Sequence, residues 1–375
     1  MKASVQNGIC QIKLIVKLKG EMPKSDCLYV SGNLLELGDW NPAGKKMQQS
    51  VDGSYYIEFN ARLNSIIQCK FTRGTWKTQA IIREDDVPPN NLIIKANKSK
   101  EVKVEILEFL DQRPIVSDPV QGKLISFDSF ECKDLDYKRP VTVWLPDTYS
   151  EKSEPNAVIY MHDGQNLFEP SASFAGNDWK VDETLTKMIK AKEIKDCIVV
   201  AIPNSPDRMK ELNLESKLGK AYAEFVINEV MPFVNGKFNT SKKPEDNIVA
   251  GSSMGGLMSF QMAIEYPDIF GKAACFSPAF PLTFSQTMGK VSKSKSLPLQ
   301  SMIYLDTGEY EDQITRSYYE MMELLQKKGY VVGKNLFGYF DKEATHTESA
   351  WANRFHIPMK YFLGKTETGK LKAER

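Results

Sequence analysis

Four near-continuous apolar runs, each ending in turn residues, restrict the fold of this chain more than any other feature. They are "AVIYMHDG" (157–164), "CIVVAIPN" (197–204), "NIVAG" (247–251) and "SMIYLDTG" (301–308). Helical stretches lie between them: in "KAYAEFVINEVMPFVN", Tyr222, Phe225, Val226, Val230 and Phe233 recur at helical spacing. A strand that is apolar on both faces has to be covered on both. Alternation with helices therefore predicts a mostly parallel sheet, starting near residue 124, with ligands bound at the carboxyl ends of its strands.

The preceding part has a different rhythm. "CQIKLIVKL", "CLYVSG", "SYYIEFNARL", "IIQCKFTRG", "NLIIKA" and "EVKVEILEF" are short alternating runs separated by Gly, Pro, Asn and Asp. They predict an all-β, immunoglobulin-like sandwich over residues 8–108. "LDQRPIVSDPVQGK" (110–123) has two prolines and little periodicity, so 109–123 reads as a linker. Residues 124–366 then form the α/β domain and 367–375 a polar tail. A length of 375 residues suits two domains.

Charge narrows the partners. The 49 basic and 48 acidic side chains leave a formal net charge of +1, with no long run of one sign. Nucleic acid and anionic membrane surfaces need a clustered basic footprint, so neither is expected as a partner. No stretch approaches 18 apolar residues, the length a membrane span needs. The segment after Met1 alternates like a strand and lacks a signal peptide's apolar core. A cytoplasmic location is expected, or a periplasmic or secreted one if an export signal has been removed. Cys10, Cys27, Cys69, Cys132, Cys197 and Cys275 are widely spaced, with no CxxC pair. They read as reduced core residues, and neither a metal site nor a cofactor is expected.

The run "NIVAG" continues into "SSMGGLMSF": strand, small-residue turn, helix. G-x-S-x-G fits one frame, Gly251-Ser252-Ser253-Met254-Gly255, which puts Ser253 at the apex and Ser252 back in the sheet. Ser253 then starts a helix whose free N–H groups favour a developing oxyanion. Alone, such a turn is more often structural, and a nucleophilic serine also needs a base and an acid. In this architecture the chain order is serine, acid, histidine. Of three histidines, His162 precedes the serine and His356 lies within an amphipathic helix. His346, in the loop "DKEATHTESAW", is the base that the order requires. For the acid, spacing leaves Asp306, Glu309, Glu311 and Asp312 open. Asp306 also suits a turn and Asp312 a helix cap.

Residues 124–365 resemble the esterase family of α/β-hydrolases that includes feruloyl, acetylxylan and enterochelin esterases. The similar stretches are "VTVWLPDTYS", "VIYMHDGQNLF", "DWKVDETL", "YAEFVINEVMPFV", "GSSMGGLMSFQMAIEYPDIFGKAACFSPAF", "LDTGEYED" and "HTESAWANRF". The resemblance implies Ser253 as nucleophile, His346 as base and Glu311 as acid. It also implies an oxyanion hole from the backbone N–H of Met254 and of Gly164 or Gln165. Trp179 and Trp351 are open to two readings, pocket wall or core. Loop 281–296 is expected near the site as a lid. The first domain resembles a family-20-type starch-binding module through "LYVSGNLLELGDWNPAGKKM" and "IIQCKFTRGTWKTQ". That resemblance puts a sugar site on Trp40, Lys70 and Trp76, where aromatic faces stack on pyranose rings.

These readings combine into a serine carboxylesterase acting on acylated carbohydrate or another small ester, with a glycan held by the first domain. Two rivals stand beside it. One is hydrolysis of a siderophore trilactone, which calls for cations such as Arg208 around the pocket. The other is a glycan-binding protein whose hydrolase domain is inactive, against which the ordered Ser, acid and His count.

Overall fold

The computed structural model describes residues 8–23, 25–84, 89–113, 119–130, 135, 138–281 and 285–365. The chain divides into two units, Met1–Val116 with Ala175–Asn177, and Ser117–Phe174 with Asp178–Arg375. The tail 367–375, Cys132 and positions 282–284 of the expected lid lie outside the described residues.

The first unit holds two four-stranded sheets. One has Gln48–Gln49, Tyr55–Arg62, Ile9–Leu18 and Lys100–Ile106 in that order; the other has Lys45–Lys46, Tyr29–Gly32, Ile66–Thr72 and Leu92–Lys95. Alternate residues of the longest strand, Cys10, Ile12, Leu14 and Val16, are buried with Ile67, Cys69 and Phe71 of the other sheet in one apolar cluster. The period of two in the sequence is thus the period of burial. The unit runs past residue 108, where the linker was expected to begin. Glu108–Phe109 pairs with Ala80–Ile81, and Leu110–Gln112 adds a turn. Phe109 is buried beneath the Arg73 guanidinium, 4.8 Å from its ring. An aromatic side chain that large gains more from burial than a linker position offers.

The second unit is built on an eight-stranded sheet: β1 (Lys123–Phe130), β2 (Arg139–Leu145), β3 (Ala157–His162), β4 (Cys197–Ile202), β5 (Asn247–Ser252), β6 (Lys272–Phe276), β7 (Met302–Gly308) and β8 (Leu336–Asp341), in the order β1-β2-β4-β3-β5-β6-β7-β8. β2 is antiparallel to both its neighbours, and the pairs from β4 to β8 are parallel. This mixed sheet has the α/β-hydrolase-like arrangement. Every residue of β3, β4 and β5 is buried. Alternate residues feed two separate apolar clusters: Val158 and Tyr160 on one face, Ile159 and Met161 on the other. The parallel strands bring the ends of β3, β5, β6, β7 and β8 to one edge. The single helix expected over residues 220–235 is a helix, a π turn at Val226–Val230 and a second helix.

Candidate active site

Ser253 stands at that edge, between β5 and the helix Met254–Glu265. Its backbone is at φ 56 and ψ −114, a region that non-glycine residues avoid. Two constraints hold it there: its amide donates to the Phe276 carbonyl at 2.9 Å, and its own carbonyl accepts from Ala279 at 2.9 Å. Both flanking glycines are crowded: a Cβ on Gly251 would lie 2.9 Å from the Gly255 carbonyl carbon, and one on Gly255 would lie 3.2 Å from Asp163 Oδ2 and from His162 Cβ. Ser252 is buried in β5, opposite Phe276.

The acid and the histidine come from the next two turns. Glu311 follows β7, just before the helix Asp312–Lys327, and its side chain is fully buried. Its Oε1 accepts from the Gly308 amide at 3.0 Å and from Ser277 Oγ at 2.8 Å. Its Oε2 lies 3.1 Å from His346 Nδ1. A carboxylate only accepts, so this bond places a proton on Nδ1 and leaves the Nε2 lone pair free to act as a base. Burial alone raises the Glu311 pKa; the bond to His346, the Arg354 charge and the Ser277 hydroxyl outweigh it and hold the carboxyl below its usual range. The His346 ring stands edge-on to Trp351 at 4.8 Å between centroids. Among the described residues, no hydrogen bond joins Ser253 to His346.

The other acidic positions do not reach the imidazole. Asp306 is saturated, with Oδ1 accepting from the Ser277 amide at 2.7 Å and Oδ2 from Tyr304 at 3.0 Å and Arg354 at 2.8 Å. Asp312 is exposed at the start of its helix. Trp179 and Trp351 both lie in the apolar cluster, although Trp351 also touches the site.

Gly164, Gln165 and Asn166 form one helical turn directly after β3 and Asp163. A Cβ on Gly164 would lie 2.4 Å from the Ile202 nitrogen, so only glycine lets the turn sit this close to β4. Gln165 is tied to Asn204 by its side-chain amide, at 2.5 Å. Met254 is the first residue of its helix, so its N–H has no acceptor inside that helix. Both halves of the expected oxyanion hole are therefore at the same edge. Arg208, expected as a cation for an anionic substrate, instead grips both oxygens of Asp163 at 2.6 and 2.7 Å. His162 is buried, with Nδ1 2.7 Å from Tyr222 Oη; His356 is exposed.

In the first unit, Gln79 connects two of the three expected sugar ligands. It accepts from Lys70 Nζ at 2.6 Å and donates to the Trp76 carbonyl at 2.8 Å. Trp40, in a left-handed conformation at φ 60, donates its amide to Gly32, next to Ser31, the ladder partner of Lys70. All three side chains are half-buried.

Sequence reasoning missed Arg354, Ser277 and the Asp163–Arg208 pair. The available signal for Arg354 was its place one helical turn after Trp351, on the face turned towards the histidine loop.

The comparisons with known proteins agree with this fold. The family described as "Putative esterase" matches residues 132–361. The uncharacterized protein YbbA of Bacillus subtilis is 20% identical over 250 residues, spanning 61% of this chain and 94% of its own length. The structure of the enterobactin esterase FES from Shigella flexneri superposes with a TM-score of 0.56 at 15% identity, covering 95% of this chain and 94% of that one. A ferulic acid esterase covers 65% of this chain and 98% of its own, with a TM-score of 0.54 at 17% identity.

Proposed function

The chain belongs to the family described as "Putative esterase" and is a carboxylic ester hydrolase; on that premise we propose that it is a serine esterase with Ser253, Glu311 and His346 as its triad. The observation that carries this reading is the pairing of a strained elbow serine with a buried carboxylate 3.1 Å from a histidine of fixed tautomer.

In the proposed reaction Ser253 Oγ attacks the ester carbonyl as its proton passes to His346 Nε2. Glu311 steadies the resulting imidazolium. The tetrahedral oxyanion is met by the Met254 N–H and one from Gly164 or Gln165; losing one such donor typically costs about 3 kcal/mol of transition-state stabilisation. The imidazolium then protonates the departing alkoxide, and water, activated by the same histidine, releases the acid.

For the substrate we propose an acylated carbohydrate of acetyl or feruloyl type, with glycan held by an N-terminal sandwich module at Trp40, Lys70 and Trp76. Supporting this are the link through Gln79 and the left-handed Trp40 backbone, since bulky residues hold that conformation only where their surroundings impose it. A second reading, a siderophore trilactone, is favoured by the likeness to an enterobactin esterase across both units. The neutralised Arg208 counts against it.

The first test is p-nitrophenyl acetate turnover by the wild type and Ser253→Ala, with a fluorophosphonate probe for the labelled residue. Turnover lost in the variant and label on Ser253 are expected. A labelled position elsewhere would overturn the triad. Feruloylated and acetylated glycans against a catecholate trilactone then decide the substrate.

A further inference from the structure

Arg354 ends the helix Glu348–Arg354, and its side chain is 2% exposed. The guanidinium touches groups from four other segments. Nε lies 2.8 Å from Asp306 Oδ2 and Nη2 3.1 Å from Asp306 Oδ1. Nη2 also donates to Ser277 Oγ at 2.7 Å and approaches Glu311 Oε1 at 3.4 Å, and Nη1 lies 3.3 Å from Asp341 Oδ2.

Ser277 decides where the carboxylate points. It sits at φ 41, directly after β6, and its Oγ accepts from Arg354 Nη2 at 2.7 Å and from Trp351 Nε1 at 2.9 Å. A hydroxyl has two lone pairs and one proton. With both lone pairs taken by obligate donors, the proton goes to Glu311 Oε1, 2.8 Å away. That oxygen also receives the Gly308 amide and the flank of the guanidinium. Oε1 is filled by donors, so it has no place for a proton of its own. Oε2 is the oxygen that remains for His346.

The charges point the same way. Asp306 and Glu311 are both fully buried, and the Arg354 guanidinium between them is their shared counterion, with Asp341 at its rim. Tyr304 donates to Asp306, and Tyr318 and Cys275 face it as neutral groups. Two neighbouring buried carboxylates without a cation cannot both stay ionised. A protonated Glu311 would no longer stabilise the imidazolium.

We propose that Arg354, acting through Ser277, is a positioning residue that keeps Glu311 ionised and reserves Oε2 for His346. The proposal rests on the triad reading above. It predicts that the pair sets the pH range of the reaction. Removing the guanidinium favours a proton on Glu311, and that pushes the acid limb to higher pH.

The experiment measures kcat/KM for p-nitrophenyl acetate against pH for the full chain, Arg354→Met, Arg354→Lys and Arg354→Met combined with Asp306→Asn. Arg354→Met is expected to move the acid limb up by about one unit or more, with activity recovering at alkaline pH. Arg354→Lys keeps the charge and the limb, at a reduced rate. The double variant has one buried carboxylate fewer, so its limb returns towards that of the wild type. A limb unmoved in Arg354→Met, or unrestored in the double variant, overturns the proposal. Should Arg354→Met not fold, Ser277→Ala takes its place; it removes one donor from Oε1 and is expected to move the limb in the same direction, and an unmoved limb overturns the proposal equally. Fluorophosphonate labelling of Ser253 in the wild type separates the two readings: a labelled serine with unmoved limbs removes this proposal alone, whereas an unlabelled one removes the triad as well.

Discussion

The end of β3 and the turn after β8 each carry a histidine to the same edge of one sheet, and their surroundings separate them completely. His162 is the last residue of β3. It is 2% exposed, bonded to the Tyr222 hydroxyl, and its Nε2 has no hydrogen-bond partner among the described residues. Burial, opposed by Asp163 and assisted by Arg208, pushes its pKa down to about 4. His346 has a side chain 36% exposed and a carboxylate 3.1 Å from Nδ1. One imidazole is a neutral strut behind the expected oxyanion loop; the other has an aimed, accessible nitrogen. Residue type and sheet edge are shared, so the partner sets the role.

The harshest way to break this comparison is to exchange the losses. His346→Ala is expected to lower kcat/KM for p-nitrophenyl acetate by about 10⁴-fold or more, whereas His162→Gln retains activity within roughly tenfold. Comparable losses would mean that the two histidines share the chemistry. Glu311→Gln sharpens the contrast, since an amide at that position donates to Nδ1 and enforces the wrong tautomer. A fall of about 10³- to 10⁴-fold in kcat is expected, by analogy with the equivalent change in other triads. Near-normal kcat in the variant would return the acid's role to another carboxylate.

Much of this was legible in the sequence because it depends on local pattern. The buried strands β3, β5 and β7 are near-continuous apolar runs, and G-x-S-x-G fits a single frame. β1 and β2 left a fainter trace. β1 alternates between exposed and half-buried residues and directly follows a proline-rich stretch, and β2, between β1 and β4, pairs antiparallel with both, outside the strand–helix rhythm. Spacing alone also left the acid open among four residues within seven positions, because turn geometry decides which of them faces the histidine. Arg354 and Ser277 were invisible for a related reason. Their roles come from convergence of separate segments, to which each contributes one ordinary residue.

The buried state of His162 also makes a claim about stability. Folded His162 binds a proton only near pH 4, whereas the unfolded side chain does so near 6.5. Between those values the unfolded chain alone is protonated, so stability rises with pH across the window. The loss on acidification starts below 6.5 and is complete below 4, amounting to about 3 kcal/mol. Urea unfolding at pH 7 and pH 4.5 is expected to show a shallower acid loss in His162→Gln than in the wild type. Equal slopes would mean that His162 is protonated in the folded protein.

The smallest expected effect isolates the geometry of the His346 turn from the stability of the sheet. Gly308 ends β7, and a Cβ there would lie 2.5 Å from the Ala344 carbonyl and 2.8 Å from Glu311 Oε1. Ala344 is two residues before His346, so Gly308→Ala forces the histidine turn and the carboxylate apart. Displacement of about 1 Å can cost roughly 10²-fold in rate, and a kcat loss of about ten- to a hundredfold is expected with KM little changed. Gly271, just before β6 at the opposite edge of the sheet, is equally crowded: its Cβ would meet the Pro244 carbonyl oxygen at 2.6 Å. Gly271→Ala should therefore lower the unfolding midpoint about as much while leaving kcat intact at a temperature where both variants are folded. If the two substitutions depress kcat alike, the Gly308 effect is one of global stability, and the His346 turn has no privileged part in holding the site.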